Sequence, residues 1–416
     1  MQISLQSKVR QIAFFACVLL AVAGFVYLSS RAARAHGWSQ GNEQWKIERA
    51  VKLEPQNADY WFRLGRWHLL MNQDSSAALN AYQRAVLNNP YNARFYIEIA
   101  KLGLLQGDSR QINQALDSAL RVAPNTPSVS WDAANIYLAA RQYDRALPLF
   151  RNASILRPDY CSSAMMLCWG ATHDVNQMVA FALPPDVSAY GDFLRFLSAQ
   201  HESTAAERIW QSLIEFKQPV PLPAAFQYLD FLLDQHKVRE AATHWKELAA
   251  TDANVSSRLA HDGNLVVNSG FEQRALNGGF DWRIVPVEDV KVTFSPSDFQ
   301  SGKQSLLIGF RTSKSQSAGI SQLIPVEPGT AYLLSLSYKA NQLEGARGVA
   351  AVVSDAFTGQ VLVSTDEFSG TTPWKTVSST FTTGDSTSLL SLEFKHPGGT
   401  LILGDLLIDE VRLVKR

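Results

Sequence analysis

Carboxylate pairs, histidines and cysteines are the residues best able to do chemistry in this chain, and none falls into a catalytic spacing. Asp366-Glu367 and Asp409-Glu410 are adjacent acidic pairs. Neighbouring strand residues point to opposite faces, so neither pair is expected to form an acid–base couple. His68, His173, His201, His236 and His244 are scattered, with no H-E-x-x-H or C-x-x-C spacing that would hold a metal. No G-x-S-x-G elbow, phosphate loop or dinucleotide fingerprint occurs. Cys161 and Cys168 share one side of a helical pattern, but about 10 Å along a helix axis separates them. That is too far for a disulfide, and both read as buried thiols. No catalytic residues are expected, and binding is the expected activity.

The elements that position these residues are legible from composition and period. Thirty-eight basic residues offset thirty-eight acidic ones, which argues against a nucleic-acid partner. At 416 residues, two or three domains are expected. Three cysteines cannot staple a chain of this length.

Residues Ile12 to Leu28 carry no charge, with Lys8 and Arg10 before them and Arg31 and Arg34 after. A spanning helix needs about 17–25 apolar residues, and a signal-peptide core about 7–15. The run therefore reads as a membrane anchor, with a cleaved signal peptide as the alternative, since Ala33-Arg34-Ala35 offers a cleavage pattern. A short N-terminal tail left in the cytoplasm puts the rest of the chain outside it.

Helical period dominates from about Asn42 to Asp252. Pro55, Pro90, Pro124 and Pro158 recur at intervals of about 34 residues. Between them, small residues (Gly65, Ala100, Ala134, then Ala85, Ala119, Ala153) alternate with fillers such as Tyr82 and Phe150. Small residues let paired helices approach, and proline ends the second helix of each pair. The pattern Trp61-x-x-Leu64-Gly65, Ala78-x-x-x-Tyr82-x-x-Ala85, Pro90 and its two successors resemble tetratricopeptide repeats. From Pro158 to Asp252 the register degenerates, giving five or six helical hairpins in all. Such arrays bind partners on the face lined by first helices. Arg66, Lys101 and Asn135 fall at one equivalent position there and could accept carboxylates or carbonyls; the alternative is a solvated polar face. The carboxylate clamp of chaperone-binding arrays is not reproduced.

After Asp262 glycine, serine and threonine rise and period two begins. Strands are expected at 265–267, 290–294, 305–310, 319–325, 331–339, 348–354, 360–364, 376–382, 389–395 and 401–412, separated by turns such as Glu327-Pro328-Gly329 and Pro397-Gly398-Gly399. This many short strands imply an antiparallel sandwich. The opening Asn264-Leu265-Val266-Val267-Asn268-Ser269-Gly270-Phe271-Glu272, the Gly279-Phe280-x-Trp282 that follows and the closing Leu407-Ile408-Asp409-Glu410-Val411-Arg412-Leu413 resemble jelly-roll carbohydrate-binding modules of families 4, 9 and 22, in the galactose-binding-like group. The resemblance implies a structural calcium in some members, with Glu272 and Asp409 at matching positions; no cofactor is required. It also implies a glycan ligand. Sugar rings need an aromatic platform and planar polar groups. Trp282, Trp374 and Phe357 are candidate platforms, with Asp281 and Arg283 beside the first. Core burial is the alternative for both tryptophans.

The expected architecture is a multidomain α plus β chain: tail and anchor or signal peptide (1–35), tetratricopeptide repeats (36–158), degenerate repeats (159–252), linker (253–262) and sandwich (263–416). The expected function is an extracytoplasmic scaffold on the bacterial inner membrane, largely periplasmic. Its repeats would bind envelope proteins and its sandwich a polysaccharide or oligosaccharide, as an accessory to surface polysaccharide biosynthesis or export. A secreted form follows if the N-terminal segment is cleaved. The alternative is a protein-only assembly factor whose sandwich binds no sugar.

Overall fold

The computed structural model describes residues 8–260, 262–398 and 400–416. The first seven residues of the expected tail, His261 of the expected linker and Gly399 of the expected turn lie outside the described residues. Helices precede two antiparallel sheets, and the chain divides into two compact units, Met1–Pro184 and Pro185–Arg416.

The first unit opens with α1 (Lys8–Ser39), one unbroken helix that is long and apolar enough to cross a membrane. Its apolar stretch is exposed, whereas Ala35 is 0% exposed and packs with Ile47, Ala50, Tyr60 and Leu64. The partner helix is α2 (Gln44–Leu53). Hairpins follow from α3 (Ala58–Met71) with α4 (Ser75–Asn88), α5 (Ala93–Gln106) with α6 (Ser109–Val122), and α7 (Pro127–Ala139) with α8 (Tyr143–Leu156). Side chains of Asn57, Asp74, Asn92 and Asp108 accept the first free amides of α3 to α6, so the turns within and between these two hairpins each hand over to a capped helix. The small residues of the repeat pattern are buried where helices touch. A Cβ at Gly65 would lie 2.6 Å from the Tyr82 ring, so only glycine fits there. The next pair is irregular: α9 (Cys161–Thr172), a three-residue α10 (Val175–Gln177) and a π turn (Met178–Ala182). Cys168 is buried, and burial pushes its thiol up to about 12; Cys161 is only half-buried, because it opens α9 instead of lying within its packed face.

The second unit contains α11 (Val187–Ala199), α12 (Ser203–Glu215), α13 (Leu222–Asp234), α14 (Val238–Thr251) and a short α15 (Ala253–Ser256), then the sandwich. The strands are β1 (Arg283–Ile284), β2 (Val290–Ser295), β3 (Ser305–Ser313), β4 (Ser317–Pro325), β5 (Ala331–Gly345), β6 (Ala350–Asp355), β7 (Val361–Ser364), β8 (Gly370–Thr382), β9 (Leu389–Lys395) and β10 (Ile402–Lys415). One sheet runs β1-β4-β9-β6-β7, the other β2-β3-β10-β5-β8. Tyr332, Leu334, Leu336 and Tyr338 point between the sheets to meet Leu306, Ile308, Leu392 and Phe394.

Residues 265–267, expected as the first strand, form none. Asn264 does that work: its Oδ1 accepts the amides of Val266 and Leu413, and its Nδ2 donates to Val411. With Leu265 N donating to Leu413 O, both ends of the domain are tied by one side chain. Trp374, expected ahead of a strand, lies inside β8. The α13–α14 hairpin packs on the sandwich through Gly278 and Gly279. A Cβ at either would lie within 2.4 Å of Phe226 or Trp245.

Candidate functional site

A cleft of about 610 Å³ crosses the outer face of the β1-β4-β9-β6-β7 sheet. Its floor is Ala350 and Val352 of β6, whose neighbours Ala351 and Val353 face the core. Alternation along one strand thus gives a core side and a cleft side. The walls come from Arg347, Asp366, Glu367, Lys395 and Gln316. The volume falls within the range of about 300–1,000 Å³ usual for ligand sites.

Charges in the cleft are partly committed to one another. Arg347 Nε donates to Glu367 Oε1 at 2.7 Å, and Gly348 N donates to Oε2 at 2.8 Å. The Arg347 guanidinium, helped by that amide, holds the Glu367 carboxyl below the usual carboxylate range. Lys395 lies 3.3 Å from Glu393. Asp366 is exposed and has no ion-pair or hydrogen-bond partner among the described residues. His396, 2% exposed, fixes the rim: Nδ1 meets Gly348 O at 3.0 Å, and Nε2 meets Thr400 Oγ1 at 2.9 Å. Nε2 also lies 3.1 Å from Thr400 O, so both ring nitrogens face a carbonyl and the ring ties two loops together. Carboxylate, guanidinium, amide and ammonium groups around a small apolar floor can read hydroxyl groups. Among the described residues no Phe, Tyr or Trp side chain lines the cleft.

The expected site residues do not converge there. Trp282 is corrected to a core residue: it is 1% exposed, stacks 5.0 Å from Phe271, and its Nε1 donates to Asn268 O. It offers no face to a sugar. Asp281 is 0% exposed and pairs with buried Arg258 at 3.3 Å. Burial raises the Asp281 carboxyl, against the pull of the Leu276 and Trp282 amides and of Arg258. Arg283 reaches Asp230 of α13. Phe357, half-buried, lies 4.2 Å from the His236 ring. These three brace the sandwich and its flanking helices, which explains the charges around Trp282. Of the two tryptophans only Trp374 stays partly open, on the outer face of the other sheet. Its Nε1 donates to Asp298 at 3.0 Å, and Lys339 holds the second oxygen of that carboxylate at 2.7 Å.

Asp366 and Glu367, expected on opposite strand faces, sit in the loop after β7 and both line the cleft, because no strand alternation acts on them there. Sequence reasoning missed Arg347, Lys395 and Gln316. They come from separate segments with no shared spacing, so no local signal joins them.

In the first unit Arg66 is exposed, Lys101 is exposed and bonded to Glu98, and Asn135 donates to Trp131 O in its own helix. Arg66 and Lys101 project charged groups to solvent, Lys101 in a pair with Glu98.

The Glu272–Asp409 pair does not fit calcium as arranged. Asp409 Oδ2 accepts the amides of Gln300 and Ser301 at 2.8 and 2.9 Å, and Glu272 accepts Lys303 N through both oxygens. Calcium takes about 6–8 oxygens, whereas these carboxylates face N–H groups that clamp the 300–303 loop. Among the described residues no group of three acidic, histidine or cysteine side chains is placed to hold a metal.

Residues 263–400 match the CBM_4_9 family of carbohydrate binding domains. That span covers most of the C-terminal sandwich. A search of curated proteins finds no match. Similar solved structures include one described as CBM4 structure and function (16% identity, 36% of this chain and 99% of that one, TM-score 0.29). A second is TmCBM61 in complex with beta-1,4-galactotriose (20%, 37% and 99%, TM-score 0.27), and a third is MamA (15%, 39% and 99%, TM-score 0.28). The sandwich presents two outer faces, a charged cleft on one sheet and a tethered tryptophan on the other.

Proposed function

We propose that this protein is a membrane-anchored, extracytoplasmic binding scaffold, not an enzyme, whose carbohydrate-binding domain takes a glycan in the β6–β7–β9 cleft. The single observation carrying the glycan reading is that cleft: unpartnered Asp366, with Arg347, Lys395 and Gln316, surrounds a floor of two small apolar side chains. Hydroxyl reading without a ring platform favours a short, weakly held segment of a longer chain. The helical hairpins form a solenoid that recruits envelope proteins, with Arg66 and Lys101 on its partner face. Together the two halves suit an accessory of surface polysaccharide assembly or export. A strain lacking the gene with unchanged surface polysaccharide amount and chain length would defeat that role.

The reading includes a retained anchor. Cleavage after Ala35 would cut α1 and strip a fully buried residue from the core it shares with Ile47 and Tyr60. Ser39, four residues on, accepts Arg63 through its carbonyl at 2.6 Å. Intact-mass measurement on the membrane fraction is expected to find residues 1–35 still attached.

The glycan reading is tested on the purified full chain with a glycan array and the host's own surface polysaccharide. Asp366→Ala and Lys395→Ala each remove a charged hydrogen-bonding group worth about 1.5–3 kcal/mol, so affinity is expected to fall roughly tenfold or more. Trp374→Ala should leave it unchanged. Loss in Trp374→Ala alone would move the site to the other sheet, and no binding at all would favour the protein-only scaffold, which the burial of Trp282 also suits. No calcium is required in this reading: chelator is expected to leave both binding and the melting temperature unchanged, and a fall in either would restore the metal.

A further inference from the structure

A groove between α1 and the turn joining α2 to α3 is unused by the function above. Its volume is about 740 Å³. Phe25, Leu28 and Arg31 form one wall, and Glu54, Gln56 and Asn57 the other. Its height along α1 matters. The apolar run ends at Leu28, and at about 1.5 Å per residue Arg31 lies about 4.5 Å beyond it. That is where hydrocarbon gives way to headgroups. The turn is held there. Arg31 Nε donates to Leu53 O, Trp61 Nε1 and Asn88 Nδ2 both donate to Pro55 O, and Asn57 caps α3.

We propose that this groove binds the headgroup of a membrane phospholipid bearing an ammonium group, such as phosphatidylethanolamine. The proposal rests on α1 being a retained membrane anchor. One wall of the groove is the anchor itself, so any occupant shares Phe25 and Leu28 with acyl chains; a lipid satisfies this without added cost. Arginine presents five N–H donors in a fork suited to phosphate. With Nε committed to Leu53, the remaining donors are available for that phosphate. Glu54 across the groove suits the ammonium and disfavours a headgroup with only negative charge. Gln56 and Asn57 add polar groups to the same wall. The anchor and the first hairpin would thus grip one lipid jointly and set the repeats at a fixed height over the bilayer.

The test uses the full chain in nanodiscs of equal phosphatidylethanolamine and phosphatidylglycerol, released into mild detergent for native mass spectrometry. Wild type is expected to keep one phosphatidylethanolamine. Gln56→Trp, which fills the groove without touching Arg31 or Glu54, and Arg31→Gln should each lower retention roughly tenfold or more. Arg34→Gln, outside the groove, should retain it. No retained lipid on wild type, equal retention by Gln56→Trp, or a preference for phosphatidylglycerol overturns the proposal. Failure of the anchor reading shows separately, as chain in the soluble fraction or an intact mass lacking residues 1–35.

Discussion

Replacing Trp282 by alanine is expected to cost the C-terminal sandwich about 3–5 kcal/mol of stability, the usual price of emptying a buried aromatic site. The indole is 1% exposed, lies 5.0 Å from Phe271 and 6.4 Å from Phe394, and donates to Asn268 O at the turn that opens the domain. Its loss therefore opens a cavity and frees that turn at once. Urea unfolding of the full chain should show a lower midpoint for the sandwich transition. Trp282→Phe refills most of the space and should recover much of the deficit, with glycan affinity unchanged, since the residue does not line the cleft. A Trp282→Ala protein of undiminished stability that had lost glycan binding would return Trp282 to the site.

Breaking the Arg258–Asp281 pair is expected to have a comparable effect. Both side chains are buried, and Arg258 also bonds Arg274 O and Asn254, joining the residues after α15 to the opening loop of the sandwich. Arg258→Met leaves Asp281 charged and uncompensated, at a cost of about 3–5 kcal/mol. The pH dependence has a definite sign. Burial already raises the Asp281 carboxyl in the folded state, and removing the cation raises it further. A folded value above the unfolded one means the folded state binds the proton more tightly. The associated stability is present below the unfolded value near about 3.9 and is lost as pH rises through the raised folded value. The deficit of Arg258→Met relative to the parent should thus narrow as pH falls from about 7 towards 4. Urea midpoints measured across that range check it, and a deficit independent of pH would place the cost in lost packing instead.

Periodicity exposed most of the architecture and almost none of the cleft. Pro55, Pro90, Pro124 and Pro158 each follow a helix end, because proline cannot continue a helix and the next one begins just beyond. Along β5, Tyr332, Leu334, Leu336 and Tyr338 alternate in the sequence with Leu333, Ser335 and Ser337, and the first set faces the core, since a strand has only two faces. Local pattern also failed in instructive places. Asn264 replaces a strand ladder with side-chain hydrogen bonds, and hydrophobic alternation is blind to that. Trp282 and Trp374 look alike in sequence. Trp282, just ahead of β1, is turned into the core, whereas Trp374 lies within β8 on its outer face.

The sequence by itself determined that helices precede strands, that an apolar run could span a bilayer, and that a domain resembling carbohydrate-binding modules begins near Asn264. Those features depend on periodicity and composition over neighbouring residues. Only the tertiary structure decided that α1 continues past Leu28 into the core around Ala35, and that Glu272 and Asp409 are occupied by loop amides. It alone brought Gln316, Arg347, Asp366 and Lys395 to one cleft. Each of these follows from contacts between segments distant in the chain, where sheet order and register, not local spacing, set which side chains meet.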